Sequence, residues 1–199
     1  MGTQTGRGRF ATAAVDGTGA SEPGAAAEPS LGALIGEDWR NHGRSLVHPG
    51  MHALVVYRVG HWRLTAPAWL RSPVGIIYKL VNELVIRALY GVEIADEAVI
   101  GRRVRIGHHQ AVQIPAFCVL GDDCLIRHNV TIGFASADAS RHAVPTIGAR
   151  VEIGPGSHLL GPITIGDDVR IGPNSIVTVD VPAGATVFAA PARVMRRPT

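Results

Sequence analysis

Aliphatic residues mark the second half of the chain at a fixed interval. Ile94, Ile100 and Ile106 lie six apart, as do Ile114, Leu120, Ile126 and Ile132, and again Ile147, Ile153, Leu159, Ile165, Ile171 and Val177. Glycine follows directly at 101, 107, 121, 133, 148, 154, 166 and 172. Four residues after the aliphatic stands something small or apolar, as at Val104, Cys118, Cys124, Val151, Ser157 and Ser175. Each six-residue step reads as a short strand plus a corner, and three steps close a triangular coil. Stacked coils pair as a parallel β-solenoid, and thirteen inward positions make between four and five of them. The residue after each aliphatic is expected to turn sharply, which glycine does at least steric cost.

Before Gly91 the spacing is helical. "MHALVVYRVGHW" sets Leu54, Tyr57 and Arg58 at three- and four-residue steps, and Val74 to Tyr90 continues the pattern beyond the breakers Pro67 and Pro73. The stretch from Val74 to Gly91 is the most apolar in the chain, but it carries Lys79, Asn82, Glu83 and Arg87. A charge at mid-bilayer costs roughly 2.5–3.5 kcal/mol, so the pattern predicts an amphipathic helix; membrane association is not expected, an enzyme anchored at a membrane surface by the Val74–Tyr90 helix being the alternative. The organisation predicted is a disordered tail over 1–30, a short α-helical arm over 31–90, a mainly β domain over 91–193 with an inserted loop at 134–145, and a tail over 194–199.

Composition changes this picture little. Hydrophobic residues make up 46% of the 199, enough for a core, and the net charge is +3. Lys79 is the sole lysine and the arginines are scattered, so no nucleic-acid partner is expected. Cys118 and Cys124 share one inward slot of the repeat and read as packing residues, not a disulfide or metal pair. With two cysteines and no secretory pattern, a cytoplasmic location is expected.

The repeat breaks twice. Between Ile106 and Ile114 the step is eight, with the surplus at His108–Gln110; between Ile132 and Ile147 it is fifteen, and the added loop contains Arg141 and His142. Insertions in a solenoid map to loops, where function concentrates, and both breaks deliver a histidine, the side chain suited to proton transfer near neutrality. Glu93 precedes His108 by fifteen residues, somewhat less than one coil, which sets a carboxylate near the same corner to orient the ring. The adjacent His108 and His109 rarely both ligate one ion, and no zinc spacing occurs, so no metal is expected. A non-catalytic trimeric scaffold is the competing use of such a prism, though it needs neither histidine break.

The chain resembles the serine O-acetyltransferases, left-handed β-helix members of the hexapeptide-repeat acyltransferases, from about Leu31 to Arg193. The resemblance rests on "MHALVVYRVGHW", "GVEIADEAVIG", the "GHH" corner, "VTIG", "SRH" and "APAR". It implies acetyl-CoA as acyl donor, a homotrimer, and His108 as the base that deprotonates an acceptor hydroxyl for direct attack on the thioester. Glu93 stands where the family has the aspartate paired with that histidine. Arg141 and His142 match the loop pair that contacts the acceptor, and His142 or His109 is a further candidate to share the acid–base work. Gly133 and the segment Ala190, Pro191, Ala192 and Arg193 match positions expected along the CoA. Gly107 replaces a family aspartate that helps hold the amino group of serine, so the acceptor is expected to be serine, another small hydroxylated molecule, or a hydroxyl of a sugar, polysaccharide or specialised metabolite. The tail "MRRPT" lacks the isoleucine-ended terminus that docks cysteine synthase, and that partner is not expected.

Overall fold

The computed structural model describes residues 29–191, 193 and 195. The expectation for the N-terminal tail falls outside these residues except at Pro29 and Ser30, and that for the C-terminal tail falls outside them except at Met195. The arm consists of α1 (Leu31–Asn41), α2 (Pro49–Thr65) and α3 (Ala68–Val81), and α3 runs on into a π-helical turn at Asn82–Arg87. The Ser30 hydroxyl accepts from the Ala33 N–H and so caps α1.

A left-handed parallel β-helix follows. The first coil carries β1 (Val92–Ile94), β2 (Val99–Ile100) and β3 (Arg105–Ile106); the second β4 (Val112–Ile114), β5 (Val119–Leu120) and β6 (Leu125–Ile126). The third carries β7 (Thr131–Gly133), β8 (Thr146–Ile147) and β9 (Glu152–Ile153); the fourth β10 (His158–Leu160), β11 (Thr164–Ile165) and β12 (Arg170–Ile171). An incomplete fifth has β13 (Ile176–Val177), β14 (Thr186–Val187) and a bridge from Val181 to Ile165. One prism face stacks β1-β4-β7-β10-β13, the second β2-β5-β8-β11, and the third β3-β6-β9-β12-β14. All thirteen inward aliphatics pair across coils in the expected register, such as Ile94 with Ile114 and Ile126 with Ile153, and all thirteen are buried.

The glycines serve a purpose other than the one expected. The residue with positive φ lies three after the aliphatic, at Arg103, Phe117, Asp123, Asn129, Arg150, Gly156, Asp168 and Asn174. The glycine directly after the aliphatic stays outside the left-handed region. It is required because coils stack too closely there for a side chain: a methyl on Gly101 would lie 2.6 Å from the Gly121 carbonyl carbon, and one on Gly121 would lie 2.6 Å from that of Gly148. The turn thus belongs mostly to Asp, Asn and Arg, with Phe117 and Gly156 the exceptions, and the glycine after the aliphatic answers to the stack.

The arm closes the open end of the prism. The first coil has no coil beneath it, so its strand edges would leave polar backbone groups unpaired. Tyr57 donates its hydroxyl to the Ala98 carbonyl and accepts from the Ile100 N–H. Arg58 donates to the carbonyls of Ile100 and Gly101, each at 2.6 Å, and through Nε to the buried Asp38 at 3.0 Å. Asn41 donates to the Arg103 carbonyl, and His61 Nδ1 lies 2.8 Å from the Asp96 carbonyl oxygen. His42 Nε2 accepts from the Ile106 N–H at 3.2 Å while Nδ1 faces the Asp38 carbonyl at 2.7 Å, which fixes a neutral ring with its proton on Nδ1. The "YR" of the helical motif is therefore the lower edge of the sheet, supplied by side chains.

Burial pushes the pKa of His42 down, with the backbone bond to Asp38 acting weakly against it. Burial also lowers His48 and His109. Each of these shifts contributes stability that is fully present above the ordinary histidine value of 6.5 and is lost as pH falls through the folded value. Burial raises Asp38, which faces His42, and that contribution has the opposite sign; it begins in the carboxylate range. Melting temperature is accordingly expected to fall by roughly 2–6 °C between neutral pH and pH about 5.5, and His42→Gln to shrink that difference. An equal or larger drop in the variant would remove His42 from the account.

Candidate active site

The first break in the repeat is a bulged corner. Between β3 and β4 two residues take positive φ in place of one, His108 at 58° and Ala111 at 55°, and the surplus pushes the His108 side chain outward. Gly107, like Gly133 at the second break, is free of the stacking that governs the other repeat glycines: a methyl there would meet its nearest neighbour, Leu125 Cδ1, at an ordinary 3.7 Å. Glycine at 107 is thus imposed by neither backbone nor packing, and it leaves open space beside the exposed imidazole.

His108 looks along the edge between the third and first prism faces. Its ring meets His128, one coil on, edge to face at 5.9 Å. From this pair a groove of about 690 Å³ climbs past Arg127, Glu152 and Arg170 to Phe188. His109 turns back toward the arm. It lies against Tyr90 at 5.4 Å, and the Tyr90 hydroxyl meets His52 Nδ1 at 3.1 Å. Burial lowers its pKa, and the neighbouring His108 adds to the effect.

The second break leaves from the opposite edge of the first face, between β7 and β8. There the loop folds onto Phe117: His142 packs on its ring at 4.4 Å and the Arg141 guanidinium sits over it at 5.4 Å. Among the described residues no carboxylate forms a salt bridge with Arg141, so Asp138 leaves it free. Under the loop a hollow of about 560 Å³ brings Arg141 together with Glu93, Gly133 and Phe134. In strand register Glu93 stands opposite Gln113. Its carboxylate pairs with Arg87 at 3.4 Å, although Arg87 is already held by Glu83 at 2.9 Å. Among the described residues no hydrogen bond joins Glu93 to His108.

The structure therefore divides the expected site residues between two edges of one sheet. His108 is at one edge; Arg141 and His142 are at the other; Glu93 and Gly133 lie on the face between. Four strand steps plus a corner at each end separate the edges, on the order of 15 Å or more. Ala190, Pro191 and Arg193 follow β14 as exposed residues, and Ala192 lies outside the described residues. Sequence reading took His128 for a solvated or corner histidine and singled out neither Phe117 nor Phe188. A signal did exist for Phe117, an aromatic residue in a left-handed turn slot otherwise filled by Asp, Asn, Arg or Gly. Cys118 and Cys124 are free and buried in the core, their thiols pushed up to about 12 and about 11 by desolvation, so they pack and do not react.

Residues 145–178 match the family model described as bacterial transferase hexapeptide (six repeats). The serine acetyltransferase of Helicobacter pylori J99 is 39% identical over 153 residues, 76% of this chain and 84% of that protein. The chain belongs to the serine acetyltransferase family of hexapeptide-repeat acyltransferases. The serine acetyltransferase of Mycobacterium tuberculosis is 41% identical over 149 residues, but this chain spans only 61% of its length. The putative colanic acid biosynthesis acetyltransferase WcaB of Escherichia coli K12 is 40% identical over 148 residues, 71% of this chain and 87% of that protein. In three dimensions the soybean serine acetyltransferase apoenzyme superimposes with a TM-score of 0.69 at 29% identity, covering 84% of this chain and 70% of the soybean one. The acyltransferase fold and the arm that caps it are thus shared, and the split arrangement of His108 and Arg141 must be reconciled with one reaction.

Proposed function

We propose that the protein is an acetyl-CoA-dependent O-acetyltransferase whose active site is completed by two copies of the chain within a homotrimer. The observation that carries this reading is the separation of His108 from Arg141 and His142 across one flat sheet. When prisms pack about a threefold axis, the His108 edge of one copy meets the loop edge of the next, and both half-sites face one cleft. Solved relatives support the ligands: one soybean structure holds serine, and a Brucella abortus structure holds coenzyme A.

In that cleft the His108 imidazole takes the proton from the acceptor hydroxyl as its oxygen attacks the acetyl carbonyl carbon. The C–S bond then breaks, and the imidazolium returns its proton to the departing thiolate. The exposed Glu93–Arg87 pair is weak, and Glu83 holds the guanidinium, which leaves the Glu93 carboxylate able to turn and orient the ring. The groove from His128 to Phe188 accommodates the pantetheine arm, with Arg127 and Arg170 beside it for the phosphates. Arg141, free of internal carboxylates, recognises a carboxylate on the acceptor.

L-Serine is the first acceptor to consider. A second reading has its own support: the space at Gly107 and the likeness to the colanic acid enzyme favour a hydroxyl on a molecule without an ammonium group. Asp38 of the arm is buried against Arg58 and cannot stand in.

Mixing the inactive variants His108→Ala and Arg141→Ala by co-expression tests the shared site. Random assembly leaves about a quarter of the clefts with both side chains intact, so CoA release is expected to return to about that fraction of the natural rate. No recovery from mixed trimers would place the whole site within one chain.

A further inference from the structure

Two adjoining hollows open at the His108 corner. One is the groove that climbs past Arg127 and Arg170 to Phe188. The other, of about 350 Å³, is lined by His108, His109, Gln110 and His128. The two hollows share His108 and His128 and no other residue. With the thioester in the groove and the acceptor hydroxyl in the smaller hollow, the new bond forms at their boundary, between the two imidazoles. His108 takes the proton there. The negative charge that attack leaves on the acetyl oxygen needs a fixed donor as well.

The column of corner residues holds one. The second residue after the inward aliphatic is His108 in the first coil, His128 in the second, Pro155 in the third and Pro173 in the fourth. Proline has no side-chain donor, so the polar part of the column is confined to the end where the hollows meet. Backbone bonds fix the column from coil to coil: the Asn129 N–H donates to the Gln110 carbonyl at 2.8 Å, and the Gly156 N–H to the His128 carbonyl at 3.1 Å. The His128 side chain is exposed and meets the His108 ring edge to face. Among the described residues neither of its ring nitrogens makes a hydrogen bond, and the adjacent Arg127 is taken up by Glu152 at 3.3 Å. A neutral imidazole carries one N–H, and here nothing within the chain uses it.

We propose that His128 is a second catalytic residue, whose ring N–H receives the acetyl oxygen as its negative charge develops. This rests on the reading of His108 as the general base. The acceptor proton passes to His108, the new O–C bond forms, and the carbonyl electron pair moves onto the oxygen held by His128. Collapse restores the carbonyl and breaks the C–S bond, and His108 gives its proton to the thiolate. His128 keeps the same proton throughout. A side-chain amide can therefore replace it, whereas no amide can replace a base.

Glutamine substitutions separate the two roles. CoA release from acetyl-CoA is measured for the natural protein and for the alanine and glutamine variants at both positions, with a panel of hydroxylated acceptors and with water alone. His128→Ala is expected to lower kcat about 10²- to 10³-fold, the loss that follows removal of one oxyanion donor. Its KM for acetyl-CoA should stay within about twofold, the mark of an interaction made in the transition state. Its melting temperature should not change, because the side chain is exposed. His128→Gln, which retains an N–H, should return to within about tenfold of the natural rate, while His108→Gln is as inactive as His108→Ala. Natural kcat in His128→Ala beside an inactive His108→Ala would overturn this assignment and leave the base in place. A loss that His128→Gln does not repair, or a change confined to KM, would overturn it too. Full activity in His108→Ala, or no CoA release by the natural protein on any acceptor or on water, would overturn the general-base reading and this assignment with it.

Discussion

Replacing His108 with alanine is expected to lower the rate of CoA release by about 10²- to 10⁴-fold, the range a positioned general base supplies. The side chain is exposed, packs only edge-on against His128, and lies outside the core. The loss should therefore come with a change in stability within about 0.5 kcal/mol. His108→Gly sharpens the point. His108 sits at φ 58°, a left-handed conformation that costs a non-glycine residue about 1–2 kcal/mol, so the glycine variant should melt at or above the natural protein while equally inactive. Measured with L-serine and a panel of hydroxylated amino acids and sugars, turnover on serine that His108→Ala abolishes would make serine the acceptor despite Gly107. Turnover confined to another acceptor would assign the space at Gly107 to that substrate. Equal turnover by the natural protein and His108→Ala on every acceptor would end the general-base reading.

The second large effect is structural. Arg58→Leu is expected to destabilise the fold by about 3–5 kcal/mol, because it leaves the fully buried Asp38 carboxylate without its partner. It also orphans the carbonyls of Ile100 and Gly101, which receive Arg58 at 2.6 Å each. Asp38→Leu leaves a buried guanidinium that keeps those two carbonyls, so its cost should be smaller than that of Arg58→Leu. Thermal melts at fixed protein concentration check the order, at about 2–4 °C per kcal/mol. A smaller loss for Arg58→Leu than for Asp38→Leu would mean that the carbonyl contacts contribute little and that the arm caps the prism by packing alone. In that case Gly50, where an added methyl would collide with the Ile106 carbonyl oxygen, becomes the residue to change.

The six-residue beat legible in the sequence corresponds to what the prism needs. An inward aliphatic every sixth residue is a local requirement of a triangular coil, so counting recovers the fold, the number of coils and both breaks. The cysteines were legible for the same reason, since slot fixes environment. One reading failed, and another stopped short, because each depends on neighbours distant in sequence. The repeat glycines look like turn residues until the next coil is laid on top, and only then does the 2.6 Å approach explain them. The motif "MHALVVYRVGHW" reads correctly as a helix, but spacing does not show that its Tyr57 and Arg58 donate hydrogen bonds to backbone carbonyls some forty residues away.

For the candidate site the division is similar. Sequence alone picked out the candidate residues, because an imidazole at a broken corner and an arginine in an ejected loop are departures from a periodic pattern. Only the tertiary structure decided where they stand. The corner and the loop emerge from opposite edges of one sheet, and a sheet is stiff, so the two halves cannot close on each other within one chain.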